Sequence, residues 1–156
     1  MVKRNSTSRL SSLKEKVILT QTDTTVGFLS QDAQKLQKIK SRPATKPFIK
    51  VFHNLNAFTQ YNRIPNSKKN FVRRAKKTTF IVKNQAFRIA SLPLDVSFLN
   101  TISWFYSTSA NESSKSFERG FCEENAEIII ENRYSLFEGI PSKLYKITET
   151  NIKRLR

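Results

Sequence analysis

Apolar residues along this chain cluster in short runs rather than in long periodic stretches. Runs of this kind that are rich in Val, Ile, Phe and Tyr favour buried β-strands. We therefore predict strands at 17–19, 48–52, 78–82, 87–90, 104–106, 127–130 and 144–147. Polar segments separate most of these runs, so the pattern predicts a sheet at the centre of the fold.

Helical spacing of apolar residues is confined to fewer segments. Ala33, Leu36 and Ile39 share one face of a helix. Ser30 is suited to cap this helix, which we expect to end near Lys40. Further segments with helical character are 54–62 (a short helix or a loop), 93–102 and 115–125. Strands and helices intermix without regular alternation, which predicts an α/β fold with a twisted mixed β-sheet and flanking helices.

The chain length of 156 residues suits one domain. Residues 1–13 are rich in Ser, Lys and Arg, and we expect a basic polar arm there, in front of a domain at 14–156. Cys122 is the only cysteine, so no intrachain disulfide can form, which is typical of a reducing cytosol. No apolar run approaches the roughly 18 residues that span a bilayer. We therefore predict a cytoplasmic protein without a membrane partner.

The chain is strongly basic, with 28 Lys and Arg residues against 12 Asp and Glu residues and a net charge of +16. An excess of this size attracts phosphate polyanions at long range, and nucleic acid is the first candidate partner. Segment 66–77 is predicted to be a surface for RNA or another polyanion because of Lys68, Lys69, Arg73, Arg74, Lys76 and Lys77. A generally Lys- and Asn-rich composition is the alternative explanation of the charge.

A second group of cations lies between the predicted helix and the strand that follows it. Lys40, Arg42 and Lys46 fall within one short turn, which Pro43 and Pro47 stiffen. Cations held in place lose less entropy on binding, and Arg offers a bidentate fork to phosphate. The alternative is a solvated helix end whose cations complement the helix dipole. The prolines favour the binding interpretation, because a solvated end does not need them.

Two polar turns follow predicted strands. The Thr22–Thr25 turn offers hydroxyls and turn amides that suit a small polar ligand or phosphate oxygens. The Ser107–Asn111 segment supplies hydroxyls and an amide, with small side chains that let a ligand approach the backbone. Taken alone, each segment also fits an ordinary polar turn, with Asn111 as a helix cap.

The order of these motifs resembles the YrdC family. A T-D-T turn after a strand, a helix, K-x-R-P-x-x-K-P, a strand, and a later strand that enters S-T-S-A-N follow one another within residues 14–156. Arg88 matches the family's strand arginine before a helix that starts with proline, here Pro93. Ser142 resembles the serine of the family's S-T-V strand, and Arg156 the arginine of a late L-R pair. The resemblance implies a single YrdC-like domain.

This resemblance also implies the activity of an L-threonylcarbamoyladenylate synthase. Such enzymes use ATP with Mg²⁺, L-threonine and bicarbonate, and they form threonylcarbamoyl-AMP and pyrophosphate. A separate threonylcarbamoyl transferase complex then modifies the adenosine next to the anticodon of certain tRNAs. No side-chain nucleophile is needed, so catalysis consists of positioning two anions and neutralising charge. His53, the only histidine, is interpreted as structural.

The family's binding residues are carried over position by position. The residues matched to ATP binding are Lys40, Arg42, Lys46, Ser109, Asn111 and Arg156. The residues matched to threonine binding are Thr24, Arg88, Ser107 and Ser142. Arg88 is expected to take the threonine carboxylate, and the first three cations to stabilise charge during the reaction. Mg²⁺ is expected to be held through ATP, without a dedicated protein site.

The sequence departs from the family pattern around the threonine side. Val26 stands where the family has an aromatic residue, Leu29 where it has a second glycine, and Val51 where many members have a histidine. Together with the net charge of +16, these departures favour an alternative function, a non-catalytic member that binds tRNA or other structured, double-stranded RNA. A third interpretation is the carbamoyl-adenylate chemistry of hydrogenase maturation proteins, which use this domain within a much larger chain.

Overall fold

One sheet runs through the described part of the chain, which comprises residues 12–41, 43, 45–90, 92 and 94–156. In this computed structural model, nine strands among those residues pair in the order β7-β1-β2-β6-β3-β5-β4-β8-β9. They are β1 (Ile18–Gln21), β2 (Val26–Ser30), β3 (Ile49–Phe52), β4 (Thr78–Val82), β5 (Gln85–Ile89), β6 (Trp104–Ser109), β7 (Ile128–Ile130), β8 (Lys143–Ile147) and β9 (Ile152–Arg154). The pairs β1–β7, β3–β5 and β4–β8 are parallel and the other neighbours are antiparallel. The predicted α/β class with a mixed sheet is confirmed.

Short helices accompany the sheet. The α-helices are α1 (Ala33–Lys40), α2 (Leu55–Tyr61), α3 (Lys69–Arg74) and α4 (Arg119–Glu124), and 3₁₀ helices occupy Asn66–Lys68 and Leu94–Thr101. The Asp32 carboxylate caps α1 by accepting hydrogen bonds from the N–H groups of Gln34 and Lys35. The prediction of Ser30 as this cap is therefore wrong. Ser30 ends β2 instead, and its hydroxyl accepts a hydrogen bond from the Asp32 N–H group.

The helices cover one face of the sheet and leave part of the other face open. Neighbouring side chains of a strand point to opposite faces. On one face, α1 and α4 pack on a cluster that includes Phe28 and Leu36. On the same face, α2 and α3 pack on a cluster that includes Phe58 and Phe80. The opposite face carries the longer 3₁₀ helix over a smaller cluster around Leu99, beside the uncovered ends of the central strands.

Every predicted strand overlaps an observed one, but β2 and β9 were not predicted. All five residues of β2 are buried, so the strand lacks the alternation that identifies a half-buried strand. Strand β9 has only three residues, and two of them are exposed, which leaves almost no apolar signal. The predicted helix at 93–102 is a 3₁₀ helix in its described part.

The N-terminal arm predicted at 1–13 lies mostly outside the described residues. Its last residue, Leu13, packs against the apolar cluster around Leu99. No helix in the described part of the chain has both the length and the apolar character needed to cross a bilayer.

Candidate active site

A cavity of about 370 Å³ opens on the uncovered face of the sheet, where the end of β6 lies beside the start of β2. Seven of the residues predicted to bind ATP or threonine line it: Thr24, Arg88, Ser107, Ser109, Asn111, Ser142 and Arg156. Antiparallel pairing places Gly27 opposite Ser109 and Leu29 opposite Ser107, which brings the Thr22–Thr25 turn next to the Ser107–Asn111 segment. The two polar turns predicted from the sequence therefore belong to one site.

The Thr22–Thr25 turn is closed by its own side chains. The Thr22 hydroxyl donates to the carbonyl oxygen of Thr25 at 2.7 Å and accepts from the N–H groups of Thr24 and Thr25 at 3.3 Å. These bonds pair the polar backbone groups of the turn with its own Thr22 side chain. Thr24 lies on the cavity wall. A Cβ atom at Gly27 would approach the Thr108 carbonyl oxygen and a Thr22 methyl group to 3.1 Å, so a glycine here allows the close approach.

Arg88 is a charged residue buried in the cavity wall, with 5% of its surface exposed. Its Nη2 atom lies 3.2 Å from Oδ1 of Asp23, while its Nε atom is buried without a hydrogen-bond partner. Burial lowers the pKa of the Arg88 guanidinium, and the charge of Asp23 partly opposes that shift. The guanidinium remains a cation because its ordinary pKa is above 12. Arg88 is therefore a cation whose donors are only partly used.

Ser142 lines the cavity and is hydrogen-bonded to Arg156, the last residue of the sequence. Its hydroxyl lies 2.8 Å from the hydroxyl of Thr79, which is fully buried. The carbonyl oxygen of Ser142 accepts hydrogen bonds from Nε and Nη2 of Arg156 at 3.2 and 3.0 Å. These contacts hold Arg156 on the cavity wall next to Ser142, close to the predicted threonine side.

Lys40 is buried and lies behind the Ser107–Asn111 segment rather than on the cavity wall. Its ammonium donates to the carbonyl oxygens of Ser109 and Asn111 and to the side-chain oxygen of Asn111. The Ser109 hydroxyl donates to that same Asn111 side-chain oxygen at 2.7 Å. The first cation of the predicted basic turn therefore holds the predicted S-T-S-A-N segment in place.

Lys46 and the cations of the 66–77 segment are not among the described residues that line the cavity. Arg42 lies outside the described residues, and Lys46 is exposed on the turn. In the 66–77 segment, Arg73, Arg74, Lys76 and Lys77 are exposed, and Lys68 and Lys69 are half-buried. The end of the segment lies near the site in the sheet, because the Lys77 carbonyl oxygen accepts a hydrogen bond from the backbone N–H group of Lys143, the residue after Ser142. His53 lies outside the cavity lining, with Nδ1 3.2 Å from the Ser103 carbonyl oxygen.

A loop that the sequence analysis missed forms another wall of the cavity. Its residues Glu138, Gly139 and Pro141 line the cavity, and the Gly139 N–H group donates to the Thr25 hydroxyl at 3.0 Å. Phe117, which precedes α4, lines the cavity beside this loop. A Cβ atom at Gly139 would lie 2.0 Å from the Thr24 carbonyl oxygen. The sequence feature that could have identified this loop is the occurrence of Gly139 and Pro141 just before Ser142, in a chain with only three glycines.

Comparison with known proteins gives the family. The model for the Sua5_yciO_yrdC family, described as "Telomere recombination", matches residues 12–156. An uncharacterised protein of Mycoplasma pneumoniae, the homologue of MG259, is 30% identical in an alignment 122 residues long that covers 74% of this chain and 25% of that protein. The chain thus spans about a quarter of the length of this curated relative.

Two solved structures share the fold. Sua5 from P. abyssi, complexed with L-threonine, has a TM-score of 0.74 and 18% identity, over 99% of this chain and 55% of that one. YciO from E. coli has a TM-score of 0.74 and 16% identity, over 96% of this chain and 86% of that one. With the family model matching nearly all of the chain, these findings show that the protein belongs to the Sua5/YciO/YrdC family.

Proposed function

We propose that this protein is an L-threonylcarbamoyladenylate synthase, which forms threonylcarbamoyl-AMP and pyrophosphate from L-threonine, bicarbonate and ATP. The observation that carries the proposal is the single cavity in which buried Arg88 lies with the Ser107–Asn111 segment and Ser142. The cavity thus combines a cationic group suited to a carboxylate with a polar turn suited to phosphate oxygens.

Arg88 supports threonine as one substrate. Its Nε–H group has no acceptor, and a buried unpaired donor costs about 1–3 kcal/mol. A carboxylate bound beside Asp23 would relieve that cost and add a charge-assisted hydrogen bond. The hydroxyls of Thr24, Ser107 and Ser142 line the same cavity and suit the amine and hydroxyl groups of threonine. The related fold of Sua5 binds L-threonine, which agrees with this assignment.

The Ser109–Asn111 turn supports ATP as the other substrate. Small residues here allow phosphate oxygens to approach the backbone, and the bonds from Lys40 fix the turn before a ligand arrives. Arg156 adds a cation to the wall, and Arg42 and Lys46 are proposed to add charge from the basic turn. Such an arrangement positions a polyanion with little reorganisation.

The proposed reaction needs no protein nucleophile. The amine of threonine takes up carbon dioxide derived from bicarbonate and becomes a carbamate. A carbamate oxygen then bonds to the α-phosphorus of ATP, the bond from this phosphorus to the bridging oxygen of the β-phosphate breaks, and pyrophosphate leaves. Because both reactants are anions, the chain contributes mainly by holding them together and by neutralising charge.

Mg²⁺ is proposed to arrive with ATP. Glu138 has the one side-chain carboxylate among the described residues that line the cavity, and the described residues form no cluster of metal-ligating side chains. Oxygen-rich phosphates suit Mg²⁺, which commonly binds through substrate phosphates and few protein groups. The product would pass to a threonylcarbamoyl transferase complex for tRNA modification, and we propose the cytoplasm as the compartment.

The test of this function is exchange of labelled pyrophosphate into ATP, with threonine and bicarbonate omitted in turn. We expect exchange only when both are present. Arg42→Ala and Lys46→Ala should abolish it if the basic turn contacts the triphosphate. Firm ATP binding without exchange that depends on threonine would overturn the proposal.

A second candidate function is RNA binding without catalysis. The exposed cations Arg73, Arg74, Lys76 and Lys77 lie outside the cavity and favour a polyanion partner. This function predicts binding of tRNA or duplex RNA that weakens steeply with salt. Removing Arg42 and Lys46 should reduce such binding only modestly, because many cations share it.

A further inference from the structure

A second groove, of about 460 Å³, lies on the opposite face of the sheet from the cavity. In β3, Ile49 lines the cavity and the next residue, Lys50, lines the groove. In β6, Ser107 lines the cavity and the preceding residue, Tyr106, lines the groove. Since adjacent residues of a strand point to opposite faces, the sheet separates the two sites. The groove is therefore a candidate site that the proposed reaction does not use.

Aromatic rings surround the ammonium group of Lys50 in this groove. Lys50 lies opposite Tyr106 in the β3–β6 register, and Trp104 is two residues before Tyr106. Its Nζ atom is 3.9 Å from the centroid of the Trp104 ring and 5.7 and 5.8 Å from those of Tyr61 and Tyr106. Burial lowers the pKa of Lys50. Among the described residues, no carboxylate forms an ion pair with Lys50. Its ammonium group is stabilised by cation–π contacts, and its positive charge is not neutralised by an anion.

Tyr61 offers an aromatic surface to solvent at the edge of the groove. It is the last residue of α2 and is 52% exposed, and its ring centroid lies 5.9 Å from that of buried Phe52. Packing against Phe52 holds the ring in place, while about half of the residue's surface stays exposed to solvent. Stacking of a nucleobase on such a ring stabilises binding without a requirement for sequence.

The groove continues along the surface into a second depression of about 660 Å³. Both depressions are lined by Arg63 and Lys83, and the second also by Lys146. Glu149 is the one carboxylate among the described residues that line either depression. The cations thus form a path along two adjoining depressions, which suits a polymer with repeated phosphates better than a small ligand.

We infer that this path binds single-stranded RNA, with a base stacked on Tyr61 and phosphates near Lys50, Arg63 and Lys83. The net charge of +16 favours a polyanion, and the aromatic rings favour one whose bases are unpaired. Asn62 and Gln85 also line the groove, and their amides suit the ribose 2′-hydroxyl, which favours RNA over DNA. The inference does not depend on the proposed synthase activity.

Fluorescence anisotropy with a labelled oligoadenylate tests the inference. Tyr61→Ala should weaken binding about tenfold, because one stacked base is lost. Tyr134→Ala is the matched control, since Tyr134 is 66% exposed but lines neither depression, and it should leave binding unchanged. An abasic strand of equal length and charge should bind more weakly and should not respond to Tyr61→Ala.

The cations are tested by salt dependence. Arg63→Gln and Lys50→Gln should each lower the slope of log affinity against log salt by about one. Arg133→Gln is the control and should not, because Arg133 is exposed beyond β7 at the far edge of the sheet and lines neither depression. Thermal melting checks that each variant is folded. If Lys50→Gln unfolds the protein, Arg63→Gln still tests the cations, because Arg63 is exposed and its replacement should not disturb the fold.

Four outcomes would overturn the inference. The first is that the abasic strand binds as tightly as the oligoadenylate, and the second is that Tyr61→Ala and Tyr134→Ala have equal effects. The third is that the protein prefers duplex RNA and that Tyr61→Ala does not change this preference. The fourth is that single-stranded DNA binds as tightly as RNA. Sedimentation supplies a further check, because a dimer that Tyr61→Ala disperses would assign the groove to self-association instead.

Discussion

The ammonium group of Lys40 donates to the carbonyl oxygen of Asn111 at 2.6 Å and to its side-chain oxygen at 2.8 Å. The two residues are 71 positions apart in the sequence, at the end of α1 and just after β6. A third bond from the same ammonium reaches the Ser109 carbonyl oxygen at 3.1 Å. Lys40 thereby shapes the turn that we propose to hold ATP, in addition to supplying charge near it.

Replacing Lys40 by methionine should weaken both the fold and ATP binding. The change removes three charge-assisted hydrogen bonds in a buried position, which costs about 1–3 kcal/mol or more. Thermal unfolding and ATP titration measure the two effects. Lys38→Met, on the exposed side of the same helix, is the control and should change neither; an unchanged melting temperature in Lys40→Met would contradict the role given to Lys40.

Replacing Arg88 by lysine should act on threonine rather than on ATP. Lysine keeps the positive charge but loses the guanidinium fork, which contacts Asp23 on the cavity wall. We expect about a ten- to hundredfold loss of threonine affinity, from charge-assisted bonds worth about 1.5–3 kcal/mol. Calorimetric titration with each ligand measures this. Equal losses for threonine and ATP would indicate a general structural effect instead.

Adding one methyl group at Gly139 should displace a wall of the cavity. The new Cβ atom of Gly139→Ala would lie 2.0 Å from the Thr24 carbonyl oxygen, so the loop or the turn must move. Substrate binding should fall markedly while the rest of the sheet stays folded. Gly120→Ala is the matched control, because its nearest neighbour, at 3.0 Å, is the flexible carboxylate of Glu118. Full activity of Gly139→Ala, measured by pyrophosphate exchange, would show that this contact is not needed.

The pH dependence of stability should reveal the ion pairs of Glu127. Hydrogen bonding to Lys35 lowers the pKa of Glu127 to about 2, with further contributions from the Val17 N–H group and Lys16. A lowered pKa means that the stabilisation is complete above the ordinary pKa of 4.5 and is lost as the pH falls towards 2. Since the groups are partly exposed, the effect should be about 1 kcal/mol or less.

Glu127→Gln is the variant that isolates this effect. Its melting temperature should be lower than that of the parent protein at neutral pH, and the difference should shrink as the pH falls from 4.5 towards 2. Glu131 has a similarly lowered pKa but is present in both proteins, so it cancels in the difference. A difference that stays constant down to pH 2 would contradict the assignment.

The sequence predicted the parts of the site but not all of their relationships. The Thr22–Thr25 turn and the Ser107–Asn111 segment were identified because each follows an apolar run. Their contact depends on β2, which was missed because its burial on both faces removes the alternation of a typical strand. The role of Lys40 was also not evident, because a cation at a helix end is usually exposed, whereas this one is buried.

The aromatic groove was beyond sequence analysis for a different reason. Lys50, Tyr61 and Trp104 are far apart along the chain, and each has an ordinary explanation within its own element. Only the β3–β6 register and the packing of α2 bring their side chains together. Contacts of this kind depend on long-range pairing, which a local pattern of apolar and polar residues does not specify.

The most direct test of the proposed function is isolation of the product formed from labelled threonine, labelled bicarbonate and ATP. We predict an adenylate that carries both labels in equal amounts, with one pyrophosphate released for each molecule formed. Omission of either threonine or bicarbonate should abolish formation of this product. The Arg88→Lys variant should form it only at a raised threonine concentration. Binding of ATP and threonine without any doubly labelled adenylate would contradict the account.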